Sequence, residues 1–181
     1  MPSNHLFCPV PPPAELHAWL NVEGSLTAVL EVKARQPLRV ERSFEGYRAL
    51  TLAQKRQLGV RGPQLNRPML AWVREVYLYG NDEQPWVEAQ SIFPLPSLKG
   101  RARRLQQLKS TPIGYVLFKR SRTLPNQRFI SQTAKGWQRQ TRYDWYGRTL
   151  LISETFLPAF SQNRQSQIGC NREQKNLYPS I

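Results

Sequence analysis

The sequence predicts an α+β fold built on an antiparallel sheet. Alternating, strand-like runs come in pairs joined by short turns rich in Gly, Asn or Asp, so neighbouring strands are expected to pair as hairpins rather than through βαβ crossovers. Helical periodicity is confined to the first half and the middle of the chain,. The length, 181 residues, is that of one domain with a real core,. Residues 1–160 are expected to form that domain. From Ser161 to Ile181 the chain is polar and without period, which predicts a flexible tail.

The elements follow in order. Residues 1–12 read as irregular because of their prolines, and Leu16, Trp19 and Leu20 then share one face of a short helix,. Ser25 after Gly24 offers an N-cap to a second helix, Leu26 to about Lys33, with Leu26, Val29 and Leu30 inward,. From Leu38 onward Leu38, Val40, Arg42 and Phe44 alternate with Arg39, Glu41 and Ser43. That is a strand whose charges suit a sheet edge. Thr51 to Gly59 fits a capped helical turn and residues 60–67 a loop.

Leu70 to Tyr79 and Trp86 to Phe93 are alternating runs around a turn, a hairpin in which Leu70, Trp72, Arg74, Val76 and Leu78 share a face,. Pro94 and Pro96 end it. Ser97 then caps a basic amphipathic helix, LKGRARRLQQLK, with Leu98, Ala102, Leu105 and Leu108 inward,. The short apolar IGYVLF reads as a helical turn and residues 127–133 as a strand. Gln138 to Trp145 and Thr149 to Phe156 form a second hairpin turning at Tyr146 and Gly147,.

Several function classes lack their parts. Cys8 and Cys170 have no C-x-x-C spacing, and His5 and His17 are the two histidines. Free thiols, no metal site and no Ser-His-Asp triad are therefore expected. Neither a G-x-G-x-x-G nor a Walker motif occurs, so no nucleotide cofactor is expected. No run of 18 apolar residues and no signal-like N-terminus is present, which predicts a cytoplasmic protein without stable membrane insertion.

Lys and Arg number 26 against 12 Asp and Glu, a net charge of +14. Such a balance attracts anions of any kind. Lys99–Lys109 and Lys119–Arg122 are basic, and KGWQRQTRYDWYGR interleaves cations with Trp137, Tyr143, Trp145 and Tyr146, a composition compatible with single-stranded nucleic acid. The hairpin alternation equally explains those rings as core.

One stretch breaks its own pattern. In TLLISETFLP, residues Leu150, Ile152, Glu154 and Phe156 share one face, so a carboxylate stands among apolar side chains. Burying it costs several kcal/mol, on the order of its desolvation penalty, unless a cation or ligand meets it. Arg74 is the corresponding lone charge on the first hairpin. Two readings stay open: a structural Arg74–Glu154 ion pair, or a pocket in which Arg74 grips a carboxylate and Glu154 handles a proton.

WVREVYLYGNDEQPWVEAQSIFPL, LQQLKSTPIGYVLF and RTLLISETFLPAF, in this order, resemble the chorismate lyase family over about Leu70 to Phe160; the N-terminal third matches loosely through EGSLTAVLE. The resemblance implies a single antiparallel sheet with helices packed at one side, closing over a buried ligand. It implies cofactor-free conversion of chorismate to 4-hydroxybenzoate and pyruvate on the way to ubiquinone. Carried over by motif, Arg74 takes the ligand carboxylate, Glu154 is the acidic catalytic residue, Ile113 supplies a backbone contact and Leu26 a flap contact. Two departures stand out: Ile113 replaces Leu, and Ala89 replaces a frequent Gly, which tightens the pocket. The expected partner is the small molecule chorismate, acting on a monomer, with no nucleic acid. A non-catalytic ligand-sensing domain of the same fold, or a basic single-stranded nucleic-acid binder, is the alternative.

Overall fold

Thr149–Phe156, the strand that carries Glu154, runs through the middle of a six-stranded antiparallel sheet. The computed structural model describes residues 11–119 and 124–162. The expected irregular start up to residue 10, Cys8, Cys170, most of the KRSR stretch and the tail from residue 163 lie outside them. Strands β1 (Arg39–Ala49), β2 (Leu70–Tyr79), β3 (Val87–Pro94), β4 (Asn126–Thr133), β5 (Gly136–Asp144) and β6 (Thr149–Phe156) pair in the order β1-β2-β3-β6-β5-β4. Both hairpins are present, and β3–β6 pairing joins them into one sheet. Tyr146 and Gly147, at φ 54° and 73°, form the two-residue turn before β6, the twist that suits a tight hairpin.

One face of the sheet is covered by α1 (Ala14–Leu20), α2 (Leu26–Ala34), α4 (Gly114–Leu117) and a 3-10 segment, Gly100–Gln107. Ser25 caps α2 by accepting from the Ala28 N–H. Two apolar clusters lie beneath this cover. One gathers Leu20, Leu26, Leu30, Val76, Val87, Trp86 and Phe156; the other gathers Phe93, Ala102, Leu105, Leu108, Tyr143, Leu150 and Ile152. Another helix, α3 (Leu52–Gln57), with a full capping box from Thr51 and Gln54, sits on the opposite face over Ala71, Val73, Ile92 and Leu151. Buried Lys55 donates from α3 to the carbonyls of Leu65 and Arg67, and so ties down the 3-10 turn Gly62–Asn66 where a loop is expected.

Two local expectations change. The basic stretch after Pro96 is 3-10 rather than α-helical, and Ser97 donates to the Thr149 carbonyl instead of capping it. The buried residues there, Ala102, Leu105 and Leu108, recur every third position, the period of a 3-10 helix. In β1 a bulge between Arg42 and Phe44 shifts the register, so Arg42 and Glu45 face the helices while Phe44 packs on the opposite side,.

The β2–β3 turn depends on a close approach: a Cβ at Gly80 would overlap the fully buried Trp86 ring. Gly80→Ala is expected to destabilise the protein by about 1–3 kcal/mol, the usual penalty of overpacking. Chemical denaturation checks this, and an unchanged midpoint would mean that the ring can move aside.

Candidate active site

Between the two apolar clusters, the helix-covered face of the sheet carries a polar band. The register places Glu45 beside Arg74, Arg74 beside Ser91, and Ser91 beside Ile152 and then Thr141; the next row runs Arg42, Val76, Ala89, Glu154, Arg139. Arg74 and Glu154 thus point to the same side, two strands and one same-face step apart. Standard strand spacing puts their Cα atoms roughly 12 Å from each other.

The two residues are not each other's partners. Glu154 Oε2 accepts from Arg139 Nε at 2.6 Å, and Arg139 Nη1 also donates to the carbonyls of Trp19 and Val22 at 3.3 and 3.0 Å. Arg74 Nη2 donates to the carbonyls of Lys109 and Thr111 at 2.7 and 3.2 Å, and its Nε stands 3.6 Å from Glu45 Oε1. Glu45 is shared, because its Oε2 accepts from Arg42 at 2.8 Å. The structural Arg74–Glu154 ion pair is therefore replaced by two separate pairs, since β3 lies between their strands.

Burial is extreme for charged groups. Arg74 and Arg139 are each 1% exposed. Burial pulls the Arg74 guanidinium below its ordinary value, Glu45 partly offsets this, and Arg42 adds to the fall,. The Tyr143 phenol is pushed up, first by burial and then by the Glu154 charge, which keeps it a neutral hydroxyl at ordinary pH. Among the described residues, the buried side-chain polar atoms without a hydrogen bond are Glu45 Oε1, Trp72 Nε1 and Arg74 Nε. All three lie at neighbouring positions of β1 and β2. Such orphans in a buried band call for a polar partner.

The cover brings the other expected residues together. Ile113 is the N-cap of α4 and Leu26 opens α2. The two elements meet at Gly114, where a Cβ would collide with the hydroxyls of Ser25 and Thr27. Tyr115 locks the contact by donating to Glu31, and this partner raises its phenol to about 12. Ala89 pairs directly with Glu154 and is buried on the same face, so its methyl group does narrow the band there.

Surface clefts lie elsewhere. One of about 440 Å³ is lined by Gly59, Pro125, Arg142 and Asp144, and one of about 380 Å³ opens on the opposite face over Gln90, Gln138 and Ser153. Neither contains Arg74 or Glu154. The cation-and-ring stretch before β6 is largely internal: Tyr143 and Trp145 are buried and Arg139 is paired with Glu154. Arg139 and Glu45 were not singled out from sequence. Arg139 alternates with the buried-face residues Trp137 and Tyr143, so the test that isolates Glu154 finds it as well. Glu45 is hidden by the bulge.

The family described as "Chorismate lyase" matches residues 8–165. A protein of Psychrobacter cryohalolentis named "Probable chorismate pyruvate-lyase" is 73% identical over 163 residues, covering 89% of this chain and 97% of that protein. One of the same name from Acinetobacter baumannii is 42% identical, covering 81% and 83%. "Chorismate pyruvate-lyase" of Serratia proteamaculans is 32% identical, covering 82% of each.

Glu45→Ala leaves Arg74 without its acidic neighbour. It is expected to lower stability by about 1–3 kcal/mol, the range for a buried polar group left unmet. Urea unfolding measures this; an unchanged midpoint would remove Glu45 from the support of Arg74.

Proposed function

This chain belongs to the chorismate lyase family, and on that premise we propose that Arg74 and Glu154 act on a single substrate lying across the polar band. The activity is conversion of chorismate to 4-hydroxybenzoate and pyruvate, the step that leads toward ubiquinone in this family. The observation that carries the site assignment is the buried Arg74 guanidinium. Two carbonyls occupy Nη2, whereas the buried Nε makes no hydrogen bond among the described residues. A buried guanidinium with an unused donor suits a carboxylate, and 4-hydroxybenzoate and chorismate both carry one on the ring.

With the ring carboxylate on Arg74, the far end of the ring reaches toward Glu154. There the ring carbon bearing the hydroxyl loses its proton and the adjacent bond to the enolpyruvyl oxygen breaks. The ring becomes aromatic, and the released enolate takes up a proton at its methylene carbon to become pyruvate, which balances the proton lost from the ring. Aromatisation supplies the driving force, so the protein orients the ring and moves protons. Glu154 Oε2 is taken up by Arg139, while Oε1 has no hydrogen bond among the described residues. A carboxylate gripped by a guanidinium is an acceptor, which favours proton removal as its first task. Ile113 and Leu26 close over the ligand through the α4–α2 contact.

The same reading has the chain acting as a monomer in the cytoplasm without nucleic acid. Among the described residues no helix is long and apolar enough to cross a membrane.

A continuous ultraviolet assay for 4-hydroxybenzoate on adding chorismate tests the whole reading, and no product at micromolar enzyme would contradict it. Glu154→Gln is expected to lower turnover by at least about a hundredfold, in the range of general acid–base catalysis, with the fold intact. Arg74→Ala is expected chiefly to weaken 4-hydroxybenzoate binding in calorimetry, and full affinity in that variant would contradict the carboxylate grip.

A further inference from the structure

We propose that Arg139 is a positioning residue for catalysis: it fixes the Glu154 carboxylate and ties it to the corner between α1 and α2. The inference rests on the role given to Glu154 above. Three of its hydrogen bonds diverge from one planar group. Nε holds Glu154 Oε2 at 2.6 Å, and Nη1 holds the carbonyls of Trp19 and Val22. The side chain is buried and its strand neighbour across β5–β6 is Glu154 itself. A guanidinium so placed cannot swing without breaking bonds on both sides, so the carboxylate has one orientation, with Oε1 turned away from the arginine. Displacing a reacting group by about 1 Å can lower a rate a hundredfold.

A neighbouring arginine supplies the control. Arg128, on β4, reaches the same corner through the Leu20 carbonyl at 3.5 Å and holds Thr141 at 3.2 Å, but makes no contact with Glu154. If holding the corner were all that mattered, the two arginines would be equivalent. Because Arg139 alone also grips the carboxylate, their loss should be felt differently.

The test uses the full chain and chorismate. Arg139→Gln is expected to lower kcat by about ten- to a hundredfold with KM within about threefold, since Arg74 still binds the ring carboxylate. Arg139→Lys should recover part of kcat, because an ammonium can reach Glu154 but lacks the fork to serve both carbonyls as well; it also serves if Arg139→Gln does not fold. Arg128→Gln should leave kcat within about threefold of the starting protein. In a Glu154→Gln background, adding Arg139→Gln should change the single-turnover rate by less than about threefold, as expected for residues acting as a unit. Multiplicative losses in that double variant, or equal kcat losses for Arg128→Gln and Arg139→Gln, would overturn the proposal. Near-normal turnover of Glu154→Gln alone would instead overturn the role of Glu154, a distinct failure.

Discussion

Four charged side chains are buried or nearly so in a strip between two apolar clusters, and each must be met inside the protein. Glu45 serves Arg74 and Arg42, while Arg139 serves Glu154. Isolated ions there would be untenable, since the desolvation penalty of each is several kcal/mol. The pairing explains why the band can exist. Arg74 Nε and Glu45 Oε1 face each other at 3.6 Å with neither in a hydrogen bond. On the proposed reading, that gap keeps the Arg74 Nε donor in reserve for a ligand.

The helices act through the same charges. Arg139 takes carbonyls from the α1–α2 corner, and Arg74 takes carbonyls from the segment leading to α4. The two halves of the cover are thus each anchored to one end of the polar band, and they meet where Gly114 lies against Ser25 and Thr27. With Gly at that point the two segments approach closely over the band, and burial beneath them strengthens each electrostatic contact. Fold and chemistry are coupled by a few side chain to backbone hydrogen bonds.

The hairpins, their order in the chain and the inward face of each strand were legible because period-2 alternation records burial directly. Glu154 and Arg74 stood out for the same reason, each a lone charge in an apolar row. What sequence could not show was partnership. Two lone charges, Arg74 and Glu154, suit a mutual pair as well as a shared pocket, whereas sheet order puts Arg139 on the strand adjacent to Glu154 and Arg74 two strands away. Glu45 was illegible because the bulge after Arg42 reverses which residues face inward, and a single inserted residue leaves little trace in the pattern. The 3-10 geometry of Gly100–Gln107 was misjudged for a related reason: Leu98 and Ala102 are four apart, but the later buried residues are three apart.

The central claim is that the polar band between Arg74 and Glu154 is where the substrate ring lies. The most direct measurement is a crystal structure of the complex with 4-hydroxybenzoate. The account predicts the carboxylate on Arg74, with the phenol end toward Glu154 and beneath the α2–α4 contact. Density for the product in the opposite-face cleft over Gln90 and Gln138, with the band unchanged, would contradict it.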